Sequence, residues 1–211
     1  GSGSVEDVTE FGIIDSPTIN WVATDDFDGA DAYGSVIADF SASITTTSAA
    51  IERCGLGELF GVILTSDSGT STLSIITGDE AKVAWEVDLG QTEVIRSTPM
   101  ITDIDGDAKP EIILVYDTES SLEIEVWSPE LSCSESGWVK SGHENEKLWS
   151  LSESDYSIGI NSPHFPTSQS NHKAVTQPLL ADLDLDGDAE LVIAVVDRNS
   201  DNPTVVALTL S

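Results

Sequence analysis

The sequence predicts an all-β fold built from repeated four-stranded antiparallel units, and three observations carry that prediction. Short apolar runs rich in β-formers recur along the chain, such as Ile112-Ile113-Leu114-Val115 and Leu191-Val192-Ile193-Ala194-Val195-Val196. Helical periodicity is nearly absent; the best stretch, Ser48 to Arg53, is too short to matter. A long segment then repeats: Asp182 follows Asp103 by 79 residues, and the sequence around the two is alike.

The strands are read in order. They fall near Ser35–Phe40, Gly61–Thr65, Thr72–Thr77, Lys82–Asp88, Pro99–Asp103 and Glu111–Asp117. They continue at Leu122–Trp127, Lys147–Leu151, Pro178–Asp182, Glu190–Asp197 and Thr204–Leu210. Between them lie turn residues, for example Asp67-Ser68-Gly69 and Gly78-Asp79-Glu80. Many short strands with such punctuation point to a sandwich, a barrel or a propeller.

The repeat defines the unit. A strand led by Pro99 or Pro178 runs into an acidic loop and then into an apolar strand starting at Glu111 or Glu190. A third strand follows, and then one that bears Trp85 or Trp149. We label these strands A to D. A worn copy lies upstream. It is either Ser35 to Ser43, with Ser41 and Ser43 in place of Asp, or Asp26-Phe27-Asp28-Gly29. Residues 1–4 read as a linker or cloning scar, and 5–211 as a single β domain with repeats at about 34–96, 97–175 and, partial, 176–211.

Composition bounds the function. Of 211 residues 39% are apolar, enough for a core, so the acidity belongs to the surface and loops of a folded chain. Eight Lys+Arg against 38 Asp+Glu give a net charge of −30. Such a surface repels nucleic acid and anionic lipid, and no run of 18 apolar residues is present to enter a membrane. No leader is visible. A solvated surface of the saline type and cation binding both account for the bulk of the charge.

Locally the charge has a pattern. Asp103, Asp105, Asp107 and Glu111 occupy positions 1, 3, 5 and 9 of one loop; Asp182, Asp184, Asp186 and Glu190 occupy the same positions of the second. Alternate residues of a tight loop turn to one centre. With the position-7 carbonyl of Lys109 or Asp188 they form an oxygen cage, and oxygen donors without His or Cys select Ca²⁺. Four carboxylates in nine residues repel one another unless a cation neutralises them. An EF-hand is excluded, because its position 12 would be Leu114 or Ile193 inside a strand. At position 6 the second loop has Gly187 and the first has Ala108, with Gly106 two residues earlier.

The Pro-led strand, the DxDxDGxxE loop, the apolar strand and the later Trp strand together resemble the FG-GAP/VCBS-type calcium-binding β-propeller repeat. That repeat is found in integrin α-chain heads and in many secreted microbial proteins. The resemblance covers Ser97–Val115 and Thr176–Val196, and is weaker over Gly34–Asp88. It implies a partial β-propeller of four-stranded blades with Ca²⁺ in two A–B hairpin loops, held by Asp103, Asp105, Asp107, Glu111 and by Asp182, Asp184, Asp186, Glu190.

Other residues remain. Cys54 and Cys133 allow one disulfide, with two buried thiols as the alternative. In a meander the A–B and C–D connections leave on one face. Cys54 lies in an A–B connection and Cys133 in the C–D connection of the next unit, so the two share a face. His143, His164 and His172 show no zinc spacing. The long D–A connection Asp155–Val175, with Tyr156, His164 and Phe165, is a candidate ligand surface; variable decoration is the alternative. The insert Pro129–Asn145 has the same two readings.

No catalytic constellation emerges, so the expectation is a non-enzyme. It is an extracellular or cell-surface module, with structural calcium, that contacts a protein or glycan ligand. One alternative is a structural subunit whose copies complete one another's blades in a ring or filament. Another is a non-catalytic fragment of a carbohydrate-active enzyme.

Overall fold

Three antiparallel sheets follow one another along the chain in the computed structural model. It describes residues 31–45, 54, 59–67, 70–78, 82–91, 94–95, 98–117, 122–134, 136–140, 142–152, 172–174, 177–185, 189–197 and 203–209. The described elements are strands and two short 3-10 turns. The stretch Ser48 to Arg53, the alternative worn copy Asp26–Gly29, and residues 1–4 and 155–171 lie outside them.

The first sheet has the order β1 (Asp31–Ala38), β2 (Phe60–Asp67), β3 (Thr70–Thr77), β4 (Val83–Gln91). In the second, β5 (Val94–Ile95) and β6 (Met100–Thr102) both pair with β7 (Glu111–Asp117). Next come β8 (Leu122–Trp127) and, after an insert, β11 (Lys147–Ser152). The insert holds a ribbon of β9 (Cys133–Ser134) and β10 (Gly137–Trp138). In the third sheet β14 (Glu190–Asp197) is central. On one side of it lie β12 (His172–Ala174) and β13 (Leu179–Ala181), and on the other β15 (Pro203–Thr209). All eleven expected strands are present, within a few residues at their ends. The short strands β5, β9, β10 and β12 were not legible, since two or three residues carry no period.

The repeat is a repeat of register. Met100↔Ile113, Ile101↔Ile112 and Thr102↔Glu111 recur as Leu179↔Val192, Leu180↔Leu191 and Ala181↔Glu190, each 79 residues on. Pro99 and Pro178 precede β6 and β13, where a missing N–H breaks no ladder.

Burial explains the apolar runs. On one face of β7, Ile112, Leu114 and Tyr116 pack with Phe60, Val62, Leu64, Leu73, Ile75 and Trp85 of the first sheet. On the other, Ile113 and Val115 join Ile124 and Val126 of β8 and Leu191 and Ile193 of the third sheet. A strand covered on both sides has no place for alternation, hence Ile-Ile-Leu-Val. Each such side chain removed from water stabilises the fold by about 2 kcal/mol. The two Trp of the repeat differ. Trp85 is buried edge-on against Trp127, whereas Trp149 is exposed.

The insert binds the first sheet to the second. The backbone of Leu131 bonds to Ser43 and Thr45, and Trp138 Nε1 donates to the Cys54 carbonyl oxygen at 3.1 Å. Cys54 and Cys133 form a disulfide between these neighbouring units, with Cα atoms 6.2 Å apart. Glu146 closes the insert. Its Oε2 accepts from Trp85 Nε1 at 2.6 Å and from Glu130 N at 2.9 Å, and its Oε1 meets His143 Nδ1 at 2.6 Å. The buried Glu125 is held by Trp127 Nε1 and by the Lys147 ammonium, which also lies over the Trp127 ring. Burial pushes the Tyr116 phenol above its ordinary range, with Glu125 adding to the shift.

Replacing Glu146 with Ala strands the Trp85 indole N–H inside the core. The expected loss is about 2 kcal/mol, the cost of an unmet buried donor, read as a lower urea midpoint. Glu146→Gln keeps one oxygen acceptor and should lose less.

Candidate metal centre

Both acidic loops leave the end of a short edge strand and enter the middle strand of the sheet. Asp103 and Asp182 lie just after β6 and β13, and Glu111 and Glu190 are the first residues of β7 and β14. The hairpin therefore brings position 1 and position 9 together. Carboxylate oxygens of Asp103, Asp105 and Glu111 lie within 4.8 Å of one another, and so do those of Asp182, Asp184 and Glu190. In each group the two Asp are exposed and the Glu is buried. Such a set offers a cation three oxygen ligands on an open surface.

The loops are held by their own backbone. In the first, Asp103 Oδ1 accepts from Gly106 N at 2.8 Å and its Oδ2 from Ala108 N at 3.0 Å. Asp105 Oδ1 accepts from Asp107 N at 3.1 Å. Glu111 Oε2 accepts from Ile104 N at 2.8 Å, and the second loop repeats that bond from Leu183 N to Glu190 Oε2 at 2.7 Å. The position-9 glutamate thus closes each loop as well as joining its carboxylate group.

Not every expected ligand joins. Asp107 lies outside the group; its Oδ1 accepts from Lys109 N at 2.8 Å and its Oδ2 pairs with the Lys109 ammonium at 3.3 Å. Those contacts, the Lys109 N–H first, hold the Asp107 carboxyl below its ordinary range. Asp186 and Asp188 lie outside the described residues, as do Tyr156, His164 and Phe165 of the expected ligand surface. Sequence reasoning missed Ser128, whose hydroxyl donates to Glu111 Oε1 at 3.2 Å. It stands 17 residues away on the far side of a hairpin, so no local spacing reveals it.

The candidate worn copy at Ser35 to Ser43 is built differently. Asp39 Oδ1 accepts from Ser41 N at 2.8 Å, and the chain then makes a 3-10 turn at Ser41–Ser43. Serines at positions 3 and 5 supply no charge to repel, and Ser43, the buried residue of the turn, accepts from Leu131 N of the insert at 2.9 Å.

Two loop positions take left-handed backbone. Position 4 is Gly106 at φ 77° in the first loop and Leu185 at φ 64° in the second; position 6 of the first is Ala108 at φ 69°. Each loop has glycine at one of the two positions and an L side chain at the other. The side chain costs backbone strain there, not packing: Leu185 is 85% exposed.

Glu111 carries the electrostatic cost of the first loop. Burial raises its carboxyl above the ordinary range, with Asp105 and Asp107 adding to the shift and the Ile104 N–H and Ser128 hydroxyl opposing it. A pocket of 310 Å³ lies elsewhere, lined by Cys54, Lys82, Val83, Ser136, Gly137, Trp138 and Lys140, with none of the loop carboxylates. No protein-family model, curated protein or solved structure matches the chain.

Ala108→Gly and Leu185→Gly should each stabilise the fold by about 1 kcal/mol, the strain of an L residue in the left-handed region. Gly106→Ala, whose added methyl meets nothing within 4 Å, should cost about the same. Urea midpoints check all three.

The sign for Glu111 follows from its raised carboxyl. Without a cation its contribution is full below the ordinary glutamate value and is lost as pH rises through the raised one. A cation that takes the ionised form offsets that loss. The rise in melting temperature on adding Ca²⁺ should therefore grow as pH climbs from the ordinary glutamate value through the raised one. A rise independent of pH would separate Glu111 from the cation.

Proposed function

We propose that this chain is a calcium-binding β-repeat module of the FG-GAP/VCBS type, a partial β-propeller that works by interaction rather than by turnover. One observation carries the reading: the same carboxylate group, Asp103, Asp105, Glu111 and Asp182, Asp184, Glu190, stands at the same hairpin of two successive sheets. Oxygen-only donors suit Ca²⁺, and Mg²⁺ is the weaker fit because it holds its water and demands an octahedron. Asp107 and Asp186, with the carbonyls of Lys109 and Asp188, complete each set on this reading. For Asp107 that requires release from Lys109, an exposed ion pair worth little.

The inner strands favour the propeller. Gly34, Thr98 and Gln177 occupy one repeat position, Gly34 inside β1 and the other two just before β6 and β13. Thr98 Cα lies 3.1 Å from where a Gly34 Cβ would stand, and the Gln177 amide bonds to Thr98 N and O at 2.8 Å each. Repeat positions that meet at the inner strands suit blades gathered about one axis. The small Gly34 permits the approach.

Calcium is structural on this reading. It clips the A–B hairpins, cancels part of the −30 charge, and binds the folded form, which stabilises by mass action. The acidic groups are open and separate from the pocket, as suits a clip better than a catalytic metal. The disulfide and the absence of a described helix able to cross a membrane are consistent with an extracellular place. The module then presents its loops to a protein or glycan. Membership of a carbohydrate-active enzyme as a non-catalytic part is compatible with the same site.

Calorimetric titration with CaCl₂ tests the reading. Two equivalents per chain are expected, with one lost in Asp103→Asn and the other in Asp182→Asn. At a free concentration of 100 times Kd the gain is about 2.7 kcal/mol for each site. No heat and no shift in melting temperature would remove calcium from the account.

A further inference from the structure

A pocket opens where the insert lies against the start of β4. Its walls come from three distant parts of the chain: Cys54, the start of β4, and the stretch around β10. Hydrogen bonds and a disulfide fix each wall. Lys82 N donates to Thr77 Oγ1 at 3.1 Å, and its carbonyl oxygen accepts from Thr77 N at 2.9 Å. The Lys140 carbonyl oxygen accepts from Glu86 N at 2.7 Å. The bond from Cys54 to Cys133 ties the remaining wall to the insert.

Trp138 is a rigid wall. Its Nε1 donates to the Cys54 carbonyl oxygen at 3.1 Å, and the buried Phe60 ring meets it edge-on at 6.2 Å. Held at both contacts, the half-buried indole keeps its orientation. Gly137 leaves the space beside it open. Its backbone stands at φ 113°, where an L side chain is strained, and a Cβ there would meet nothing within 4 Å. The volume of 310 Å³ falls at the small end of ligand pockets, which run from about 300 to 1,000 Å³.

The charge of the pocket is opposite to that of the chain. Lys82 and Lys140 are two of only eight Lys+Arg against 38 Asp+Glu, and none of the described residues that line the pocket is acidic. At physiological ionic strength charges are screened beyond about 8 Å, so an anion in the pocket answers first to the two lysines. A flat indole suits the C–H face of a sugar ring, and lysines beside it suit a carboxylate.

We propose that this pocket binds one carboxylated sugar unit, a hexuronate, with its ring on Trp138 and its carboxylate on Lys82 and Lys140. A single acidic unit fits better than a polyuronate, whose further carboxylates would lie against a surface of net charge −30. No carboxylate of the acidic loops lines the pocket, so the site stands whether or not those loops hold calcium.

Titration of the full chain with methyl glucuronide, followed by the Trp138 indole N–H resonance, tests the site. The expected Kd is about 1 mM, the scale for a ligand of that size. Methyl glucoside, which lacks the charge, and acetate, which lacks the ring, should each bind at least about tenfold more weakly. Lys82→Met and Lys140→Met should each weaken glucuronide binding by about tenfold. Their melting curves should be unchanged, since both lysines are exposed. A Trp138 signal that stays unmoved far above that Kd overturns the proposal. So does a glucoside or an acetate that binds as tightly as the glucuronide. An affinity that survives both lysine substitutions together overturns it as well.

Discussion

The double burial of strand β7 is the constraint on which the rest depends. Its odd and even side chains enter two different cores, so the second sheet is the middle of three layers. Because β7 cannot slip without moving apolar residues out of both cores at once, its register is set twice over. The ends of β7 inherit that precision. Glu111, its first residue, reaches the loop carboxylates only because Ile112 and Ile113 are already fixed on opposite sides.

The acidic loops sit at the edge of this rigid part and act against it. They place like charges together, bury one carboxyl, and bend the backbone into the left-handed region at residues that are not all glycine. Each feature costs stability in the bare chain. They recur in two loops held by the same Glu-to-backbone bond. A bound cation would supply what that arrangement lacks, and the proposed function grows from this local deficit rather than from any pocket.

Much of the architecture was legible. Glu111–Asp117, Leu122–Trp127 and Glu190–Asp197 read directly as strands, since long apolar runs between turn residues have few other uses. The repeat and its acidic loops were equally plain. The insert was not. His143, set aside for want of metal spacing, is buried, with its Nδ1 on Glu146 and its Nε2 facing the Val139 carbonyl oxygen. Glu146 holds a tryptophan 61 residues away, and no period or motif encodes such a bond. Asp107 looked like the equal of Asp103 and Asp105, but Lys109 two residues on engages it from both backbone and side chain.

The sequence by itself determined the all-β class, the order of the strands, the unit of repetition and the places where carboxylates crowd. These follow from period, turn chemistry and spacing, which are local. Only the tertiary structure decided which face of each sheet meets which neighbour. It also decided that Trp85 is buried while Trp149 is exposed, and that Ser128 reaches Glu111. Those outcomes depend on distances between residues far apart in the chain, and such distances exist only after the sheets have stacked.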